Sequence, residues 1–438
     1  MRARIGIRRE DKSRWERRVP LIPEHVRWLR DEHDIDVWLQ PSAIRVFTDD
    51  AYRAAGARIE EDLSSCQVIL GVKEIPCDIL EFGHTYLFFA HVIKGQAHNM
   101  PMLQALLKKR SQLIDYEKVT DDRGARLVSF GHHAGLAGMV DTLWALGRRL
   151  AWEGIPNPFT ELRQTHEYRS LDQVKAAISR VGNIIARRGL PGSIRPLICG
   201  FAGYGSVYRG ATDIIELLPV EEIQPDEVAD LAENSETPDL VYTVVFREEH
   251  TVRPIAPGDA FELADYRAHP ERYRSRFESY LPHLTLLVNC VQWEEKYPRL
   301  VTKHGIRELY GSPGQPRLRV IGDISCDIEG AIEATIECTD PGDPVYVYDP
   351  LEDRTSRGVE GRGPVILAVD ILPSELPSEA SAYFSGALKD YLPAIAKVDY
   401  SAPFEELDLP PQVQRALIVH QGELTPGYRY LAEHLAQP

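Results

Sequence analysis

The feature that most limits how this chain can fold is an alternation that begins at its first residues. Short β-branched or aromatic runs take turns with stretches of helical spacing: RIGIR, PEHVRWLRDEH, DVWLQP, DAYRAAG, QVILGVK, TYLFFAHV, MLQALLKKR and QLIDYEKV. Apolar runs separated by whole helices cannot pair as hairpins, so they imply βαβ units and a parallel sheet. The first ~130 residues therefore read as one doubly wound lobe. At 438 residues the chain exceeds the size at which a single core keeps growing, and a second lobe is expected.

A long helix follows in FGHHAGLAGMVDTLWALGRRLAWEG, where Leu136, Met139, Val140, Leu143, Leu146 and Leu150 recur at helical spacing. Gly135, Ala137 and Gly138 near its start predict close packing on a neighbour, and its position suggests an inter-domain connector. Next, RPLICGFAGYGSVYRGATDIIELLP combines a buried run, glycines at 203, 205 and 210, and a helix stopped by Pro219. Strand, glycine turn and helix N-terminus form the cradle that binds a dinucleotide pyrophosphate. The spacing GxGxxxxG is longer before its last glycine than the commonest fingerprint. For the acid that usually meets the adenosine ribose, Glu221, Glu222 and Asp226 are the candidates on the next run, and NAD against NADP stays open.

VYTVVF, LTLLVNCVQW and LRVIGDISCDIEG supply further strands of that second sheet, and DISCD places Asp323 and Asp327 straight after one of them. An α/β sheet presents such residues to its ligand crevice; the alternative, that one of them merely caps the next helix, applies more to Asp323 than to Asp327. The tail from Pro373 reads as helical and as packing back on an earlier lobe.

In FFAHVIKGQ, His91 and Lys94 follow an aromatic strand, and Lys73 likewise follows VILGV. Such residues can be a strand cap and a solvated lysine, or a titratable pair at the ends of neighbouring strands. Arg8, Arg9, Arg14, Arg17 and Arg18 crowd the first strand and its loop, either as a solvated basic loop or as cations for carboxylates.

A net charge of -16 argues against sequence-independent binding to nucleic acid, and no run reaches the length of a membrane span. The six cysteines are scattered without CxxC or a Cys/His cluster, which points to reduced thiols and to no metal site. With no leader read at the start, a cytoplasmic location is expected.

Taken together, RREDKSRWERRVPLIPEHV, GVKEIP, FFAHVIKGQ, LIDYEKVTDDRGARLVSFGHHAGLAGMVD, HPERYRSRF and DILPSELPSEAS resemble the lysine-ketoglutarate reductase part of the aminoadipic semialdehyde synthase family. The chain is similar, more distantly, to lysine-forming saccharopine dehydrogenases, alanine dehydrogenase and the first domain of transhydrogenase. The resemblance implies an α/β fold of two Rossmann-like, doubly wound lobes with a cleft between them. It divides the chain into a substrate lobe, 1–145 completed by C-terminal helices over 375–438, and a dinucleotide lobe over 146–374. It implies reductive condensation of L-lysine with 2-oxoglutarate to saccharopine, usually with NADPH, NAD being the other choice, and it leaves homo-oligomerisation open. Residue by residue, Lys73 and His91 match the acid/base pair, while Arg18, Arg8 and Lys94 match the substrate side. Gly203, Gly205, Ser206 and Val207 match the phosphate loop, and Asp327 the aspartate near the nicotinamide, with Asp323 beside it. Tyr208 and His132 depart from the family pattern.

The chemistry is consistent with those residues. Joining an amine to a 2-oxoacid needs proton transfer near neutral pH, which histidine offers unaided and lysine only when its charged form is disfavoured. Saccharopine carries three carboxylates, for which fixed arginines are suited. An imine reductase for another amine and oxoacid, a catalytically silent nucleotide-binding relative, and an alanine dehydrogenase are the rival readings.

Overall fold

The computed structural model describes residues 2–235, 237–312 and 314–435. The chain forms two compact units, residues 1–130 with 377–438, and residues 131–376.

In the first unit the strands are β1 (Ala3–Ile7), β2 (Ile35–Leu39), β3 (Arg58–Ile59), β4 (Val68–Leu70), β5 (Thr85–Phe88) and β6 (Gln112–Asp115). The second unit contributes β7 (Leu197–Ala202), β8 (Val220–Ile223), β9 (Val241–Phe246), β10 (Val252–Pro254), β11 (Tyr273–Ser275), β12 (Leu286–Asn289), β13 (Val320–Asp323), β14 (Val345–Asp349), β15 (Arg354–Arg357) and β16 (Val365–Leu367). The chain then returns to the first unit with β17 (Leu417–His420) and β18 (Glu423–Leu424).

The first sheet runs β18-β17-β6-β5-β4-β1-β2-β3. From β6 to β3 every pairing is parallel, as the helical crossovers require. The chain direction across the sheet reverses between β1 and β4, which makes that gap the switch point of a doubly wound sheet. Val68, Ile69 and Leu70 are all buried, the signature of a strand covered on both faces. Ile5, Ile7, Leu70, Leu87 and Phe88 form the centre of this core.

The tail is only partly helical. Its helix Pro377–Leu388 docks on the first unit, with Phe384 stacked on Phe130 at 4.5 Å, and Ser381 and Ser385 accepting the Val19 and Ile22 amides at 3.0 Å. The run LIVH, however, is β17, antiparallel to β6 and closing the sheet edge. A four-residue apolar run between helices carries too little periodicity to separate strand from helix; pairing with the free edge of β6 decides it.

In the second sheet the order is β15-β14-β16-β13-β12-β7-β9-β8, parallel from β16 to β8. Its switch point lies between β7 and β12. β8 stands outside β9 at the edge, so the strand beside β7 is the third of the unit in chain order and not the second. The separate hairpin β10-β11 occupies the connection from β9 to β12, built on Val252, Tyr266 and Tyr273.

The helix Gly131–Trp152 belongs entirely to the second unit, so the first division falls at 130/131 rather than at 145/146. The reason is its pairing with the helix Ser206–Ile215. At Gly135 a Cβ would collide with the Val207 carbonyl and lie 2.8 Å from Ala211 N; at Gly210 it would collide with the His132 carbonyl. The close packing expected from the glycines is present, and it anchors the whole helix on the second unit. Among the described residues no helix is long and apolar enough to cross a membrane.

Candidate functional site

Residues of the first unit that the sequence marked out converge on the carboxyl ends of adjacent parallel strands β1, β4, β5 and β6. Lys73 and Glu74 follow β4, and His91 follows β5, its neighbour in the sheet. His91 has φ +50°, a left-handed backbone uncommon outside glycine. Its carbonyl accepts from Asn99 Nδ2 at 3.0 Å, which helps hold that conformation.

The imidazole lies between two carboxylates: Nε2 is 3.9 Å from Glu74 Oε1 and Nδ1 is 3.7 Å from Glu117 Oε1. Burial alone would raise both glutamates, yet each sits below its ordinary pKa. Lys12, bonded to Glu74 at 2.9 Å, and the His91 charge account for Glu74; His91, Arg126 at 3.2 Å and the charge of Lys94 account for Glu117. The histidine therefore has a carboxylate within 4 Å of each ring nitrogen. Lys94 itself is exposed and acts on this cluster through charge.

Half-buried Lys73 is placed by Glu10, whose carboxylate accepts the Val72 and Lys73 amides at 2.7 and 3.1 Å. Burial and the neighbouring Glu16 push the Glu10 carboxyl up to about 7. Glu16 is itself buried, which would raise it, but Arg18 holds it below the usual range and the charge of Lys73 adds to this. Arg18 meets Glu16 through both fork donors, Nε at 2.8 Å and Nη2 at 2.6 Å, with its guanidinium 4.3 Å over the Phe130 ring. Asp115, at the end of β6, is pushed up to about 7 by burial and by Glu117.

Arg8 follows β1 at the switch point. Its Nη2 donates to Asp11 at 2.7 Å, while the buried Nε and Nη1 have no hydrogen-bond partner among the described residues. A buried guanidinium with open donors is costly unless an anion completes it. Arg45 lines the same small recess as Arg8 and Arg18, and its buried Nη1 also has no partner among the described residues. Sequence reading passed over Arg45 and Arg126, because both lie in loops where nothing in the spacing separates them from solvated arginines.

The phosphate-loop residues lie in the second unit. Gly203 has φ +93° and its missing Cβ leaves room for the Cys290 backbone across the switch point. Gly205 caps the helix Ser206–Ile215, and among the described residues no atom beyond its chain neighbours and the helix backbone lies within 4 Å of where its Cβ would be. Ser206 and Val207 are the first helical residues, so the positive end of the helix stands next to the open position at Gly205, an arrangement that fits a pyrophosphate. Tyr208 packs edge-on against Phe201 of β7 at 5.5 Å, and His132 Nε2 meets Asp213 Oδ2 at 2.9 Å, so both departures serve helix packing.

Beside this loop is a cavity of about 300 Å³, lined among others by Gly203, Tyr204, Arg247, Tyr266, Arg267 and Trp293. Glu221 and Glu222 are exposed on edge strand β8, one strand away from the place expected of them. That place belongs to the residues after β9, Arg247 and Glu248.

Asp323 needs correction as a ligand residue. It is 1% exposed, and its oxygens accept from Asn289 Nδ2 at 2.8 Å, Thr335 Oγ1 at 2.6 Å and the Cys326 amide at 3.2 Å. Those bonds fasten β12 and β13 to the following turn and leave the carboxylate committed to the protein. Asp327 is exposed on the loop after β13. Elsewhere in the second unit a pair of buried, electrostatically interacting carboxyls escaped the sequence reading: Asp141 accepts from Thr165 at 2.8 and 2.9 Å, and Glu375 accepts the His166 amide at 3.2 Å. Burial pushes Glu375 up to about 8 and Asp141 well above the carboxylate range.

The family profile described as alanine dehydrogenase/PNT, N-terminal domain, matches residues 6–137. Alpha-aminoadipic semialdehyde synthase, mitochondrial, from Rattus norvegicus is 37% identical over 98% of this chain, but over only 47% of its own length. The chain thus spans about half the length of that relative. Saccharopine dehydrogenase [NAD(+), L-lysine-forming] from Emericella nidulans is 25% identical over 88% of this chain and 90% of its own length. Among solved structures, an L-alanine dehydrogenase superposes with a TM-score of 0.62 at 18% identity, covering 99% of this chain and 100% of that one. This last likeness establishes the fold of two Rossmann-like lobes.

Proposed function

We propose that this chain, a relative of the aminoadipic semialdehyde synthases along nearly its whole length, is a lysine–2-oxoglutarate reductase that forms saccharopine. The observation that carries the reading is local: His91, bracketed by Glu74 and Glu117, stands with half-buried Lys73 at the ends of two neighbouring parallel strands. Imine formation needs a base to free the amine and an acid to protonate the departing hydroxyl. An imidazole beside a lysine offers two groups that can carry these protons.

In this reading Lys73 and His91 exchange protons with the reacting amine and carbinolamine. Arg8 supplies two buried donors to a substrate carboxylate, Arg18 stands beside it with Glu16 fixing its fork, and exposed Lys94 attracts the anionic oxoacid. Gly203, Gly205, Ser206 and Val207 hold the dinucleotide phosphates, with Asp327 at the nicotinamide end. The cofactor is a nicotinamide dinucleotide that supplies hydride when bound, and NADPH is the form proposed. Six thiols, all unpaired in disulfides, favour a reducing compartment, and the cytoplasm is proposed although the rat relative is named mitochondrial.

The test is loss of NADPH absorbance by the purified chain given L-lysine and 2-oxoglutarate, with each omitted in turn and NADH in parallel. Oxidation that requires both substrates and yields saccharopine supports the reading. Oxidation with another amine and oxoacid only, or with pyruvate and ammonia, replaces it.

A further inference from the structure

Which dinucleotide the second unit selects is decided beside the glycine loop, and the sheet order puts an unexpected residue there. In a doubly wound sheet the adenosine ribose lies over the end of the strand next to the glycine-rich one, where an acid takes the ribose hydroxyl or an arginine takes a 2'-phosphate. Here the strand next to β7 on that side is β9. The Gly203 amide donates to the Phe246 carbonyl at 3.1 Å, fastening the loop to the last residue of β9. The following residue is Arg247.

We propose that Arg247 is the cofactor-selecting residue of this chain, binding the 2'-phosphate on the adenosine half of the dinucleotide, with Arg267 as a second cation lining the same cavity. The inference rests on the dinucleotide reading of the loop.

Four observations support it. The Arg247 guanidinium lies 5.0 Å from the centre of the Tyr204 ring, on the loop itself, a contact that fixes the plane while leaving the fork edge open. Among the described residues that guanidinium forms no ion pair. Two acids line the cavity and both are engaged: the Tyr204 hydroxyl donates to the two oxygens of Glu248 at 3.2 and 3.1 Å with Arg267 3.8 Å away, and Glu294 pairs with Lys296 at 3.1 Å. Finally, Tyr266, Trp293 and Tyr297 line the same cavity and give an adenine an aromatic wall; the Trp293 indole is held by its bond to the Tyr297 carbonyl at 3.1 Å. An aromatic wall with two arginines, and two glutamates each paired with a basic side chain, suits a ribose phosphate better than a bare ribose hydroxyl.

The test compares two nucleotides that differ only in the group at issue, adenosine 2',5'-bisphosphate and adenosine 5'-monophosphate, by titration calorimetry on the whole chain. The wild type is expected to bind the bisphosphate about 10- to 100-fold more tightly, the range of a charge-assisted phosphate contact. Arg247→Gln should remove most of that preference and leave monophosphate affinity unchanged; Arg267→Gln should remove less, and Arg247→Lys should restore part. Equal affinity of the wild type for the two nucleotides, or a preference that survives Arg247→Gln, overturns the inference while the dinucleotide site stands. Binding of neither nucleotide by folded protein overturns both.

Discussion

Replacing Gly135 by alanine puts a methyl group where the helix Ser206–Ile215 runs closest to the helix Gly131–Trp152. The new carbon would meet the Val207 carbonyl head-on and lie 2.8 Å from Ala211 N. Both are backbone atoms, so no side chain can swing aside and the helices must part by about 1 Å to reach ordinary contact. Overpacking of a tight core costs about 1–3 kcal/mol, and a backbone obstacle belongs at the upper end. For a unit the size of residues 131–376, about 3 kcal/mol corresponds to a fall in Tm of roughly 6–12 °C. Because the displaced helix begins at Ser206, the loop moves with it, and loss of one or two phosphate bonds weakens dinucleotide binding by about 10-fold. Gly210→Ala presses on the same crossing from the other side, against the His132 carbonyl and 2.9 Å from Leu136 N, so the double variant should cost less than the sum of the singles. Thermal melts and dinucleotide titration check this. A Gly135→Ala protein with wild-type Tm and affinity would falsify the argument, and strict additivity of the pair would show that the two glycines do not share one contact.

Lys73→Met and His91→Gln should each cut turnover with lysine and 2-oxoglutarate strongly, by about 100-fold or more, while dinucleotide affinity measured by fluorescence stays near wild type; retained rates in both would remove the acid/base pair. The pair Asp141–Glu375 predicts a pH dependence of stability. Since the folded pKa of Glu375 is raised from 4.5 to about 8, its contribution is fully present below pH 4.5 and is lost as pH climbs from there toward about 8. Glu375→Gln should therefore flatten the decline of urea midpoints between pH 5.5 and 8, and an unchanged slope would place the titrating group elsewhere. Glu16→Ala leaves the Arg18 guanidinium, 4% exposed, without its bidentate partner; a loss of about 3 kcal/mol in denaturant unfolding is expected, and a neutral result would mean the arginine finds water or another acid.

Much of the architecture is set by local chemistry. Val68–Leu70, Thr85–Phe88 and Val241–Phe246 are short and apolar throughout because both faces of a parallel strand are covered, and that pattern survives in a bare string of letters. The strand, glycine turn and helix at 197–215 are legible for the same reason: each glycine answers a steric demand made by near neighbours. Lys73 and His91 were visible because each stands just past an apolar run, and a polar, titratable residue there marks the end of a buried strand.

Lateral order was not legible. Glu221 and Glu222 come next in sequence after the glycine loop and its helix yet lie on the outer edge, while Arg247 reaches the place beside the loop from a later strand. Asp323 shows the same gap in reverse: its position after a buried strand suggested a ligand, but Asn289 and Thr335, 34 and 12 residues away, absorb its carboxylate. Arg45 and Arg126 acquire meaning only through the acids and recess that surround them. By itself, the sequence determined most of the elements, their alternation and the strand ends where titratable residues stand, since those depend on residues within a few positions of each other. Tertiary structure alone decided which strand lies beside which, and with it which arginine meets which anion, because pairing energies between distant segments leave no periodic trace along the chain.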